Sequence, residues 1–319
     1  MNIFDWHIKK YPLMEKQDLH KLIFQSQFGN SHLINNVENV EKFLYEELSI
    51  LDKSDEDLYE YVGQYVRVNL RPFIKYNLNI NYLLKSFIQT SNNSYSINNE
   101  YNNLLEYYNL NNNQFSLSHS NTYRENYKPA YRLIYKSFLT DELRNTQVFN
   151  FINNIKKPVI ISIEGKCASG KTTLSNIIKE KFKATIIHMD DFFLPISRKS
   201  KERLDEVGGN INYELVRETI INIRKNNCTN YKVFDCTKQE YYEKDFAYSD
   251  IIILEGVYSY HKYFRDLIDK LIFINTDYNT RIERLKERNN FDRFINEWIP
   301  LEDKYFELEN ILFLSDLIV

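Results

Sequence analysis

Glycine is scarce for a chain of this length: the 319 residues hold 7. Proline numbers 6 and cysteine 3. Three cysteines, Cys167, Cys228 and Cys236, make no disulfide framework for a chain of this length, so a reducing, cytoplasmic setting is expected. No run approaches 18 apolar residues, and no membrane-spanning helix is expected. The first residues, MNIFDWHIKKYPLMEKQDLH, are mixed and charged and lack the apolar core of a secretory signal. Neither sign of charge dominates. Lys and Arg total 41 against 44 Asp and Glu, a formal net charge of -3. Attachment to nucleic acid by bulk positive charge is therefore not expected, and neither membrane nor nucleic acid is an expected partner.

What is present is ordinary for a globular protein. Hydrophobic residues make up 43% and charged residues 27%, a balance that excludes wholesale disorder. The length predicts two domains, and the patterning changes where they would meet. Residues 1–90 read mostly as helix, with apolar residues at three- and four-residue spacing in Leu19, Leu22 and Ile23 and again in Val40, Phe43 and Leu44. Residues 91–121 are rich in Asn and Ser and read as a loop or a polar helix. Residues 122–152 return to helix. After Lys156-Lys157-Pro158 the grammar alternates. Strands are predicted at 159–163, 185–189, 250–254 and 270–274, and helices at 172–182, 213–225, 278–288 and 301–313. Continuous apolar strands alternating with helices predict a parallel sheet covered on both faces. The expected organisation is a mostly α-helical domain of unknown role over 1–150 and a doubly wound α/β domain over 151–319.

Where glycine is rare, each one marks a place another residue would not fit. Gly165 and Gly170 belong to Gly165-Lys166-Cys167-Ala168-Ser169-Gly170-Lys171-Thr172, which matches G-x-x-x-x-G-K-[ST] between a predicted strand and a predicted helix. The chemistry of that spacing is direct. Backbone N–H groups of the loop and the helix start face anionic oxygens. Lys171 reaches the β- and γ-phosphates and the Thr172 hydroxyl binds Mg²⁺. Residues 165–173, ending on Thr172 and Thr173, are the candidate nucleotide-binding segment, and ATP or GTP with Mg²⁺ is the implied ligand. Cys167 reads as a small filler rather than a redox sensor.

Two acidic positions follow predicted strands, where open α/β sheets place their ligands. Asp190 and Asp191 follow TIIHM, and Glu255 follows DIIIL and precedes Gly256. An acid there holds Mg²⁺ or accepts a proton from a hydroxyl; the competing role is a helix N-cap.

Taken in order, GKCASGKTTL, IIHMDDFFLP, IILEGVYS and LIFINTDYNTRIERLKER resemble the uridine kinase and phosphoribulokinase branch of the P-loop kinases, over residues 157–319. The resemblance implies a P-loop NTPase fold and ATP-dependent transfer of a phosphoryl group to a small-molecule hydroxyl. It implies that Asp190 acts as base or positioner, that Glu255 joins the magnesium site with Thr172 and Asp190, and that lid arginines embrace the transferring phosphates. Arg281, Arg284, Arg288 and Arg293 are the lid candidates. The first three recur at helical spacing, which predicts one shared face, and Arg284 and Arg288 are favoured; the rival reading is a solvated face paired with Glu283 and Glu287. The chain departs from the uridine kinase pattern at DEVGGNINYELV and at Phe234-Asp235-Cys236-Thr237-Lys238-Gln239. The acceptor is therefore expected to be a nucleoside or another sugar-bearing metabolite, with uridine unassigned.

The first half carries two dense patches, residues 11–34 and 118–138. His32, His119, Arg124, Tyr127 and Arg132 are candidates to line a pocket, and interleaved Tyr and Arg can stack on bases. The histidines lack acidic partners at ligand spacing, so no zinc site is expected. The rival to a kinase is a nucleotide-dependent regulatory or nucleic-acid-processing protein in which ATP binding switches the N-terminal domain.

Overall fold

In a computed structural model, residues 2–30, 37–91, 99–110, 116–226 and 229–319 are described. The chain divides into two units, 2–154 and 155–319.

The first unit contains α1 (Ile3–Lys10), α2 (Lys16–Phe28), α3 (Val37–Ile50), β1 (Tyr59–Val62), β2 (Tyr65–Asn69), α4 (Leu70–Lys75), α5 (Ile80–Ser91), α6 (Asn99–Tyr107), α7 (Asn121–Tyr127), β3 (Tyr131–Tyr135) and α8 (Asp141–Asn153). Helices dominate, as the periodicity predicts. The reading of 1–90 and 122–152 as helix nevertheless misses an antiparallel sheet in the order β1-β2-β3. Its signal is the tight Gly63-Gln64 turn between YEYV and YVRVN, with Gly63 at φ 62°. β2 is the middle strand and four of its five residues are buried. Leu22, Ile23, Phe28, Val62, Tyr101 and Leu133 pack α2, α6 and the sheet into one core.

The second unit contains β4 (Val159–Glu164), α9 (Lys171–Phe182), β5 (Thr185–His188), α10 (Lys201–Asp205), α11 (Tyr213–Asn226), β6 (Asn230–Asp235), β7 (Glu240–Asp245), β8 (Ile251–Glu255), β9 (Lys270–Phe273) and α12 (Tyr278–Lys286). α13 (Phe291–Arg293) runs through a π-helical stretch (Phe294–Trp298) into α14 (Ile299–Leu308), followed by α15 (Ile311–Leu314) and β10 (Leu317–Ile318). Five strands form a sheet in the order β10-β9-β4-β8-β5, with every neighbour parallel. With helices between the strands, this is the α/β architecture expected of a P-loop kinase. All residues of β4 and β8 are buried, as strands covered on both faces require.

Three details differ from the sequence reading. The expected helix over 301–313 is broken at Glu309-Asn310, where Asn310 takes a left-handed conformation. The helix expected over 278–288 ends at Lys286. β6 and β7 form a separate hairpin, which apolar-run reasoning missed because β7 (EYYEKD) is mostly exposed.

Candidate active site

The site is assembled at the carboxyl ends of β4, β8 and β5. Register does the first part of the work: Ile163 on β4 pairs with Glu255 on β8, and Glu255 pairs with His188 on β5. The three strands therefore end level with one another, and Glu255 and His188, the last residues of β8 and β5, lie side by side next to the loop that leaves β4.

That loop, Gly165–Gly170, opens α9 at Lys171. Gly170 sits at φ 102°, a conformation closed to most side chains, and a Cβ there would meet the Arg284 guanidinium at 3.8 Å. The Lys171 ammonium is buried and donates to the carbonyls of Gly165 (2.7 Å) and Lys166 (3.1 Å). Ala168 adopts a left-handed conformation. Ser169 Oγ is buried and has no hydrogen-bond partner among the described residues. Thr172 and Thr173 start α9 with exposed side chains.

The Thr172 hydroxyl donates to Glu255 Oε1 (3.1 Å), and His188 Nδ1 bonds Glu255 Oε2 (2.7 Å). Burial pushes the Glu255 carboxyl up. The bond from His188, the charges of His188 and Lys171 and the bond from Thr172 outweigh it and hold the group below its ordinary range. The same carboxylate raises the pKa of His188. Asp190 follows β5 in a short 3₁₀ turn (Met189–Phe192). Its side chain is open to solvent at the cleft, yet crowding by protein and the charge of Glu255 raise its pKa. Asp191 is engaged differently. It accepts from the Tyr231 hydroxyl and from Lys244 (2.9 Å), which ties the turn to the β6–β7 hairpin. Gly256 allows the close approach: a Cβ there would stand 2.6 Å from Met189 Cβ.

The arginine candidates separate. Arg281 is buried, with its guanidinium 3.8 Å from Cys167 Sγ. Arg284 donates to the Ala168 carbonyl (2.9 Å) and so lies against the phosphate loop. Arg288 lies beyond the end of α12, exposed, and does not share the helical face that the spacing predicts. Helix termination at Glu287 breaks the periodicity on which that expectation rests. Arg293 pairs with Glu297 (2.7 Å) at an exposed position. Burial pushes the Cys167 thiol up to about 12, with the Glu302 carboxylate acting in the same direction, so it packs rather than reacts.

Sequence reasoning missed three residues here. His188 ends β5 as the partner of Glu255. Glu164, at the end of β4, is fully buried and accepts from the Tyr305 hydroxyl (2.7 Å), Tyr260 N–H (3.0 Å) and Gly165 N–H (3.3 Å). Glu302, on α14, accepts the Cys167 N–H (2.8 Å), while Lys166 pairs with Asp303. The signal for Glu164 was legible: an acid inside the otherwise apolar VIISIE run. Glu302 is 135 residues from its partner, and no local pattern announces it.

A nucleotide with Mg²⁺ fits these residues. The orphaned Ser169 hydroxyl, the loop lysine and the paired hydroxyl and carboxylate of Thr172 and Glu255 are the donors and acceptors such a group demands. Among the described residues, no cluster of three or more His, Cys, Asp or Glu side chains forms a protein-only metal site.

No family model matches the chain. Over 150 residues it is 33% identical to uridine-cytidine kinase A of Dictyostelium discoideum, a match covering 44% of this chain and 30% of that protein. Over 175 residues it is 27% identical to a uridine kinase of Ureaplasma parvum, covering 48% of this chain and 84% of that one. About half of this chain is homologous to uridine kinases. The match to the Dictyostelium protein spans less than a third of its length. Among solved structures, a possible uridine kinase from Bacillus stearothermophilus aligns with a TM-score of 0.46 at 21% identity, over 56% of this chain and 98% of that one. Among the described residues no helix is long and apolar enough to cross a membrane.

In the other unit, the candidate residues of the first half are distributed. His119 and Arg132 line a cavity, whereas Arg124 and Tyr127 lie on α7. His32 is outside the described residues. His119 does have an acidic partner, Asp18, 3.0 Å away and 101 positions earlier in the chain.

Proposed function

We propose that the unit 155–319 transfers the γ-phosphoryl group of ATP, with Mg²⁺, to a hydroxyl of a nucleoside or another small sugar-bearing metabolite. The observation that carries this reading is the meeting of Thr172, Glu255 and Asp190 with the Lys171 loop at three adjacent strand ends. Similarity to uridine kinases supports the same class of reaction.

Each residue has a distinct task. The loop amides and Lys171 bind the β- and γ-phosphates, where the ammonium exchanges its carbonyl partners for phosphate oxygens. Thr172 and Glu255 are the oxygen ligands for the metal, and His188 orients the Glu255 carboxylate from the opposite oxygen. When bound, Mg²⁺ supplies charge neutralisation at the phosphates. Asp190 accepts the proton of the acceptor hydroxyl as its oxygen bonds to phosphorus and ADP departs. Its raised pKa suits it to that task better than an unperturbed carboxylate. Arg284, already against the loop, faces the charge that develops on the γ-phosphoryl group. The 3₁₀ turn and the β6–β7 hairpin, joined through Asp191, form the acceptor side.

The test is ADP release with a panel of nucleosides and sugars. Asp190→Asn should lower kcat by about 10²- to 10⁴-fold while ATP affinity is retained. Lys171→Ala should abolish transfer in a folded protein. Release of ADP that depends on no acceptor, or a folded Lys171→Ala protein with normal turnover, would overturn the reading.

A further inference from the structure

The unit 2–154 holds a second polar centre that the phosphotransferase reading does not use. It starts on α2, where Asp18, Lys21 and Gln25 stand at three- and four-residue spacing and so share one face. Asp18 accepts the Ser120 N–H (2.9 Å), the Ser120 hydroxyl (2.6 Å) and His119 Nδ1–H (3.0 Å). Burial opposes its charge, but these bonds prevail and hold its pKa down to about 2. Burial in turn lowers His119 to about 4. The imidazole is therefore neutral, its proton lies on Nδ1 toward the carboxylate, and Nε2 accepts from the Tyr131 hydroxyl (2.9 Å).

The other side of Tyr131 is cationic. Gln25 Oε1 accepts two bonds from the Arg67 guanidinium (3.1 and 2.7 Å), and Arg67 lies 4.8 Å from the Tyr131 ring centroid. Arg67 is 3% exposed because it sits on the middle strand of the sheet. Lys21 reaches the same ring at 6.0 Å, and burial lowers its pKa. Among the described residues, neither Lys21 nor Arg67 has a carboxylate within ion-pair distance. A polar core built for stability pairs its buried cations, because an unpaired one costs several kcal/mol. Here Lys21 borders a cavity instead, and Arg67 lies against the Tyr131 ring that forms part of its wall. The cavity has a volume of about 290 Å³ and is lined by Lys21, His119, Tyr131 and Arg132, with Phe43 and Phe87 as apolar wall. Arg132 and Glu47 line it as an ion pair (2.6 Å), with Arg132 lying over Phe87.

We propose that this cavity is a second ligand site, for a small ring-bearing molecule with one anionic group, either a phosphate ester or a carboxylate. Lys21 meets the anionic oxygens, with Arg132 beside it on the cavity lining, and Phe43 and Phe87 cover the ring. The Asp18–His119 pair holds the Tyr131 hydroxyl through its proton, which fixes the Tyr131 ring as a wall beside Lys21. The volume lies at the lower end of small-molecule sites, which favours a single ring over a nucleoside triphosphate.

The test is calorimetric titration of the full chain with phenyl phosphate, benzoate and benzyl alcohol, on the wild type and on Lys21→Met, Arg132→Gln and Lys171→Ala. At least one anionic probe should bind saturably, and the uncharged alcohol at least tenfold more weakly. Lys21→Met, which keeps the apolar stem, should weaken the anion at least tenfold, and Lys171→Ala should leave it unchanged. Binding of phenyl phosphate but not benzoate assigns a phosphate ester, and the converse assigns a carboxylate. Should Lys21→Met fail to fold, the same loss is read in Arg132→Gln. Three results would overturn the proposal: no saturable binding of either anion, wild-type affinity in both Lys21→Met and Arg132→Gln, or loss of binding in Lys171→Ala, which would place the anion at the phosphate loop.

Discussion

Replacing Glu164 by glutamine should make the nucleotide-binding unit more stable above neutrality and less stable in mild acid. Burial raises the Glu164 pKa from an ordinary 4.5 to about 7, against the opposing bonds from Tyr305, Tyr260 and Gly165 and the charge of Lys171. Between those two values the folded protein holds a proton that the unfolded chain has released. Stability from this group is therefore complete below pH 4.5 and is lost as the pH rises to about 7. A gap of about 2.5 units corresponds to about 3 kcal/mol, at about 1.4 kcal/mol per unit. Glutamine keeps an oxygen for Tyr305 and Tyr260. It turns an N–H toward Gly165 N–H, sacrificing a 3.3 Å bond worth about 1 kcal/mol. The variant should gain about 2 kcal/mol at pH 8 and lose about 1 kcal/mol near pH 4.5, so the two stability curves cross. Each unit carries one tryptophan, Trp6 and Trp298. Urea unfolding at pH 5, 6, 7 and 8, followed by Trp298 fluorescence in a Trp6→Phe background, isolates the relevant unit. Parallel pH curves for the two proteins, or a glutamine variant that is weaker at pH 8, would refute the argument that burial of this carboxyl dominates.

Arg284→Ala should cut kcat on the order of 10³-fold with little change in the KM for ATP, whereas Arg288→Ala should leave both near wild type, because only Arg284 bonds the loop. Equal losses in the two variants would show that the apo arrangement of α12 misplaces the lid. Gly256→Ala places a methyl 2.6 Å from Met189 Cβ at φ 142°. It should cost about 1–3 kcal/mol and depress turnover by shifting Glu255; an active, equally stable variant contradicts this. Thr172→Val should raise the Mg²⁺ concentration needed for half-maximal rate, since it removes a hydroxyl ligand while retaining shape. An unchanged magnesium titration would remove Thr172 from the metal site.

The phosphate loop was legible because its information is local. Eight consecutive residues set the glycine positions, the lysine and the hydroxyl, and an apolar strand and an amphipathic helix flank them. Asp190 and Glu255 were legible for a related reason: an acid at the end of an apolar run is at the end of a buried parallel strand, where ligands bind. Residues whose meaning depends on a distant partner were not legible. His188 counts because strand register sets it opposite Glu255, and Glu302 because α14 returns to Cys167. Helical spacing grouped Arg288 with Arg284, but the helix ends before Arg288. In the other unit, Tyr131 and Arg132 read as part of a helix; pairing with β2 makes them a strand, which brings Tyr131 to Gln25 on α2 and Arg132 to Glu47 on α3. Periodicity records which face of a segment is apolar, and spacing records what a contiguous loop can bind. Burial of Arg67 and the joining of Asp18 to His119 depend on which surfaces meet after the chain closes over a hundred residues, and that choice belongs to the tertiary structure.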